Sequence, residues 1–217
     1  MRGDVLKVRP GHARRGVLAA FALVLAACID VPAAPPRDAL KVREVKASPG
    51  VVLETACTPT GIEKCFDAHD DNCNGVIDEG CGLHTGILQF AIAWEAVEAD
   101  VDLNVYDPSG EIARLGEPTS SGLVKDRDCP QMGNECQGQN IENVYLAEGD
   151  PKRGTYRVVI RLDKLGGAVA PVRVRLGARV GQRPFGMVVD LSPGPGTEEK
   201  SFEFTLSQPT PVSTRAC

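Results

Sequence analysis

The stretch Val172-Arg173-Val174-Arg175-Leu176-Gly177-Ala178-Arg179-Val180 decides the fold class. Apolar and basic residues alternate along it. Successive side chains of a β-strand leave opposite faces, so one face is buried and the other carries arginine. The same period of two recurs on either side. Leu88, Phe90, Ile92 and Trp94 share a face, as do Val101, Leu103 and Val105. Tyr156, Val158, Ile160 and Leu162 alternate with outward Arg157 and Arg161, and Phe202, Phe204 and Leu206 close the series. Asp107-Pro108-Ser109-Gly110 places acid, proline and glycine where a type I turn takes them. Roughly seven or eight such strands predict a mostly β chain, an antiparallel β-sandwich over residues 84–208. No segment has a helical period.

Composition narrows the function. The 217 residues include 23 Gly and 16 Pro, are 5% aromatic and carry a net charge of -5. Residues 1–27 hold five basic side chains and one acid, so the remainder carries -9. A surface that acidic argues against a nucleic-acid partner, because phosphate binding needs clustered cations. Eight cysteines point to an oxidising compartment. Outside the leader the histidines are His69 and His84, and neither lies in a nucleophile or metal-hydrolase motif. An enzyme is not expected.

Residues 1–27 have the three parts of an export signal: a basic start, the 12-residue apolar stretch Gly16–Ala27, and small residues at its end. That stretch is short of the about 20 residues a spanning helix needs. Leu25-Ala26-Ala27-Cys28 resembles the lipobox of bacterial lipoproteins. The resemblance implies that Cys28 is lipidated and anchors the chain to a membrane. Ile29, where an aspartate would resemble an inner-membrane retention signal, favours the outer membrane or cell surface. Residues 28–55, with Pro32, Pro35, Pro36 and Pro49, read as a Pro-rich tether, and residues 209–217 as a tail.

Residues 56–83 form a Cys-rich module. Cys57, Cys65, Cys73 and Cys81 recur every eight residues, and a segment this short must be stapled. Four cysteines allow three pairings, among which sequence does not choose. Cys129 and Cys136 are read as a further, local disulfide, leaving Cys217 over once Cys28 is lipidated. Between the module's cysteines, Asp70, Asn72, Asn74, Gly75, Val76 and Asp78 fall at positions 1, 3, 5, 6, 7 and 9 of a calcium loop. Oxygens at alternate positions converge as the chain winds round an ion, Gly75 permits the sharp turn, and Val76 offers its carbonyl. Position 12, the bidentate glutamate of an EF-hand, is Cys81, and Glu79 is the candidate substitute. Hard oxygen ligands suit calcium. A metal-free disulfide knot and zinc held by four thiolates are the alternatives, and His69 reads as a solvated loop residue.

The run Cys65–Cys81, with its Asn74-Gly75-Val76-Ile77-Asp78-Glu79-Gly80-Cys81 ending, resembles the metal-binding motif of MopE-type bacterial surface proteins. Farther on, Ala99-Asp100-Val101-Asp102-Leu103-Asn104-Val105-Tyr106-Asp107-Pro108-Ser109-Gly110-Glu111 resembles the opening of the YfaP-like domain of unknown function. Asn140-Ile141-Glu142-Asn143-Val144-Tyr145 and Gly154-Thr155-Tyr156-Arg157-Val158 are similar to two later strands of that family. The second resemblance implies a secreted jelly-roll-like sandwich without established activity. Two further readings concern charge. Asp100, Asp102, Asp126, Asp128 and Glu142 are candidates for a second cation site, with ordinary solvated acids the preferred reading. The row Arg173, Arg175 and Arg179 is a candidate contact for acidic glycans or lipid headgroups, or a solvated sheet face. The chain is thus expected to be a surface lipoprotein whose calcium-bearing module presents a β-sandwich to a protein or glycan. The alternatives are a purely structural envelope component and a carboxylate-based hydrolase accessory.

Overall fold

A computed structural model describes residues 40–147 and 149–207, together with the backbone of 29–32 and 213–216. The export signal, Cys28 and Cys217 lie outside the described residues. Strand β1 (Ile29–Pro32) pairs antiparallel with β11 (Ser213–Ala216), Ile29 opposite Ala216, in a unit of its own. These segments, read as tether and tail, are therefore paired strands. The other unit contains β2 (Lys41–Ala47), β3 (Leu88–Trp94), β4 (Asp100–Tyr106), β5 (Val124–Asp128), β6 (Ile141–Leu146), β7 (Gly154–Lys164), β8 (Val172–Val180), β9 (Arg183–Leu191) and β10 (Glu199–Ser207).

Those nine strands make two antiparallel sheets, of order β2-β10-β7-β4 and β5-β6-β3-β8-β9. The expected sandwich is present. The chain crosses repeatedly between the sheets, with β5–β6 and β8–β9 as hairpins. The inward set of each strand meets in one core: Phe90 and Phe204 approach to 5.8 Å, and Tyr156 stacks on Phe204 at 5.2 Å. Burying each such aromatic contributes about 1.5–3 kcal/mol. The Tyr156 hydroxyl donates to the Lys152 carbonyl four residues upstream (2.9 Å), so its one polar atom is satisfied at the core's edge. The Asp107 turn closes as expected, with Gly110 N–H donating to the Asp107 carbonyl (2.9 Å).

Two expectations change. The tether reading of 28–55 fails for β2, which pairs with β10 as the sheet's edge strand, Phe202 opposite Ala47. Its charged side chains Lys41, Arg43, Glu44 and Lys46 face solvent and guard that edge against further pairing. Strand β3 was expected to bury one face, yet all seven of its residues are buried. Leu88, Phe90, Ile92 and Trp94 enter the sandwich core, while Ala91 and Ala93 join a second cluster with Ala68, Ile77, Leu83, Cys129, Cys136 and Ile141. The Cys-rich module therefore packs on the outer face of the five-stranded sheet.

Candidate functional site: a disulfide-clasped acidic loop

The module has two interlocking disulfides, Cys57–Cys73 and Cys65–Cys81, and Cys129–Cys136 closes the local bridge beyond it. All four module sulfurs are oxidised, which rules out a tetrathiolate zinc site. With no strand or helix through residues 57–83, backbone N–H groups need other acceptors, and buried amides left unpaired are costly. Carboxylates supply them. Asp78, fully buried, accepts from the N–H groups of Phe66 (2.6 Å), Asp67 (3.2 Å) and Ala68 (3.1 Å). Glu63 accepts from Asp78 (2.9 Å), Asp71 (3.1 Å) and Asn72 (3.4 Å). Asp71 gathers the Thr60 hydroxyl, the Lys64 amide and ammonium (3.1 and 3.3 Å) and the His69 ring Nδ1 (3.1 Å).

Their titration follows from these surroundings. Burial pushes Asp78 up to about 7, with Asp67 adding to the rise against the pull of its three amides. Burial also raises Glu63 and Asp67. Burial acts on Asp71 in the same sense, but Thr60, His69 and Lys64 outweigh it and hold that carboxyl well below the usual range. His69 is thus a clasp partner of Asp71 rather than a free loop residue.

The predicted ligand positions separate into two groups. Asp70, almost fully buried, accepts from Asn74 N–H (3.0 Å) and Gly75 N–H (2.8 Å), with Gly75 at φ 87°. Asn72 Oδ1 accepts from the same Asn74 N–H (2.9 Å), and Asn74 Oδ1 accepts from Val76 N–H (2.8 Å). The Asn72 and Asn74 amides both donate to Glu79 Oε1. Glu79 Oε2 is buried without a hydrogen-bond partner among the described residues. Asp70, Asn72, Asn74 and Glu79 therefore converge, with Val76 half-buried beside them. Asp78 does not join them. Its carboxylate is turned to residues 66–68, so its expected role as a ligand is replaced by one as a backbone clasp. Among the described residues no three of His, Cys, Asp and Glu gather as a metal site, so amide oxygens are essential to any ion held here.

Close approach seats the loop. A Cβ on Gly177 of β8 would lie 2.4 Å from the Ala68 carbonyl oxygen and 3.1 Å from Ile77 Cγ2. Gln89 of β3, fully buried, donates to the Ile77 carbonyl (3.1 Å). Between the module and β8 lies a cleft of about 590 Å³ lined by Phe66, Asp67, Trp94, Glu95, Arg173 and Arg175. Arg175 also borders a neighbouring hollow of about 320 Å³ with Thr58, Thr60 and Lys64. Among the described residues Arg175 makes no hydrogen bond or ion pair, whereas Arg179 donates to the Gly181 carbonyl (2.7 Å) and Arg173 approaches Asp190 (4.0 Å).

The second acidic group does not assemble around an ion. Asp100 pairs with Lys164 (3.1 Å) and Asp102 with Arg161 (3.0 Å), while Asp126 takes His84 (2.7 Å). Asp128 and Glu142 share the Lys125 ammonium. Each acid has a basic side chain of the protein beside it, so these acids are neither gathered as a cation site nor simply solvated. Sequence reasoning passed over Glu63, Asp71 and Gln89, because one carboxylate or amide per backbone clasp leaves no spacing pattern. No helix among the described residues is long and apolar enough to cross a membrane. No family model, curated protein or solved structure matches the chain.

Proposed function

We propose that the chain is an exported, lipid-anchored surface protein in which calcium at Asp70, Asn72, Asn74, Val76 and Glu79 stiffens a module set against a binding cleft. The ligand is a protein or glycan engaged by the sandwich face that carries Arg175. The observation that carries the cation is the convergence of Asp70, Asn72, Asn74 and Glu79 on one turn, with an unpartnered buried oxygen on Glu79. The resemblance to MopE-type loops supports it, and the lipobox at Cys28 supports the anchor. Calcium replaces part of its hydration shell with these oxygens and neutralises their charge. With two amides in place of acids, affinity is expected on the order of 10⁻⁴–10⁻³ M, the range of extracellular modules.

Calorimetry and thermal unfolding in calcium against EDTA test this. Calcium raises the melting temperature of the intact chain, and Asp70→Ala abolishes the rise. Asp78→Ala destabilises the protein with or without calcium, because three amides lose their acceptor. An unchanged melting curve at millimolar calcium would leave a purely structural disulfide knot.

A further inference from the structure

A buried lysine, a buried carboxyl and a half-buried one outside the acidic loop have a geometry that an ordinary strand would not produce. Lys125 lies opposite Val144, Arg127 opposite Asn143, and Asp128 opposite Glu142, so β5 has one extra residue, a bulge at Asp126. Without it, residues 125 and 128 would leave opposite faces. With it, Asp126 and Arg127 both turn outward, to His84 and Asn143 and to the Gly82 and Glu135 carbonyls respectively. Lys125 and Asp128 both turn inward, to Glu142. The Lys125 ammonium lies 2.7 Å from Asp128 Oδ1 and 2.8 Å from Glu142 Oε2. Lys125 is 7% exposed and Glu142 0%. Glu142 Oε2 also accepts Leu103 N–H (2.6 Å) from β4, the edge strand of the facing sheet, while Oε1 has no partner among the described residues. An amine and a carboxyl are thus held in contact, with reduced access to water, beside a second carboxyl that has a spare oxygen.

We propose that Lys125 and Asp128 are a site of self-modification, joined by an amide bond from Nζ to Cγ with Glu142 relaying the proton. Lys125 gives up a proton within the triad and the freed amine lone pair forms the bond to Asp128 Cγ. The bond from Cγ to the departing oxygen breaks, and that oxygen leaves as water with protons passed through Glu142. One amine and one carboxyl become one amide and one water, and Glu142 ends as it began. Neither an oxidant nor a cofactor is required. Near-attack contact in a site of low water content is what makes such condensations proceed, because the entropy of encounter is already spent. Burial raises the Glu142 carboxyl well above its ordinary value, against the pull of Lys125, which favours proton uptake by a relay. Burial disfavours the Lys125 charge, but Glu142 and Asp128 outweigh it, and these two carboxyl groups, at 2.8 and 2.7 Å, are the acceptors in contact with the ammonium. The product closes the bulge covalently at the sheet edge.

Mass spectrometry of the purified full chain, unfolded, reduced, alkylated and cut with trypsin, reads the outcome. In the wild type, the intact reduced chain is expected one water lighter than its sequence mass, and Leu115–Arg127 and Asp128–Lys152 as one linked species that fragments from two N-termini, Leu115 and Asp128, which the isobaric uncut peptide Leu115–Lys152 does not. Lys125→Arg keeps the cation and the fold and yields separate peptides, and Glu142→Gln reduces or abolishes the link. Separate peptides from the folded wild type overturn the proposal. So does a loss of water that persists in Lys125→Arg, since that locates the dehydration within the Asp128 backbone.

Discussion

Replacing Gly177 by alanine tests whether the module is seated on the sheet. The added Cβ would stand 2.4 Å from the Ala68 carbonyl oxygen, 3.0 Å from its carbon and 3.1 Å from Ile77 Cγ2. The nearest of these is about 1 Å inside ordinary contact. Two of the three atoms belong to the backbone, so no rotamer change relieves the clash. The Cys57–Cys73 and Cys65–Cys81 bridges resist a change in the module's own shape, leaving displacement from β8 as the main relief. Overpacking of this kind costs about 1–3 kcal/mol. Displacement also weakens the bond from Gln89 to the Ile77 carbonyl, about 1 kcal/mol, so the total is on the order of 2–4 kcal/mol. For a chain of this size that lowers the melting temperature by roughly 5–12 °C. Urea and thermal unfolding of oxidised protein measure the loss, and limited proteolysis within residues 57–83 reports the lifted module. A change below about 0.5 kcal/mol, with no new cleavage, would refute the packing argument.

Replacing Cys57 and Cys73 together by serine opens a bridge of sequence separation 16 and is expected to cost about 3 kcal/mol in denaturant titrations, with the Cys65–Cys81 bridge retained. Asp107 supplies a pH test. Burial raises its carboxyl, but the Ser121 hydroxyl and the Glu111 and Ser109 amides outweigh that and hold it below the ordinary aspartate value. Its stabilisation is therefore complete above the unfolded value of about 4 and is lost as pH falls through the folded one. Asp107→Asn is expected to be less stable than wild type at neutral pH and to lose less between pH 5 and 2, about the window in which aspartate titrates. Parallel acid-titration slopes would remove Asp107 from the account.

Much of the sandwich was legible because alternation reports burial directly. Strands β4, β7, β8 and β10 each place an apolar residue at every second position, and each of those sets lies in the core. Strand β2 carries no such signal. Lys41-Val42-Arg43-Glu44-Val45-Lys46-Ala47 sits at an edge, where pairing is made by backbone groups common to every residue. Asp70, Asn72, Asn74 and Glu79, which the calcium-loop pattern singles out, are neighbours in the structure. The pattern misplaced Asp78, because a carboxylate at position 9 of a loop can point to an ion or back to amides, and spacing is the same in either case.

Local order in the chain sufficed for the strand class, the turn at Asp107 and the stapled character of residues 56–83. These depend on periods and spacings within one segment. Disulfide pairing, the seating of Ile77 and Ala68 over Gly177, and the meeting of Lys125, Asp128 and Glu142 arise only when distant segments pack. A glycine's missing Cβ and a single-residue bulge acquire meaning from what lies across from them, and that partner is chosen by the fold.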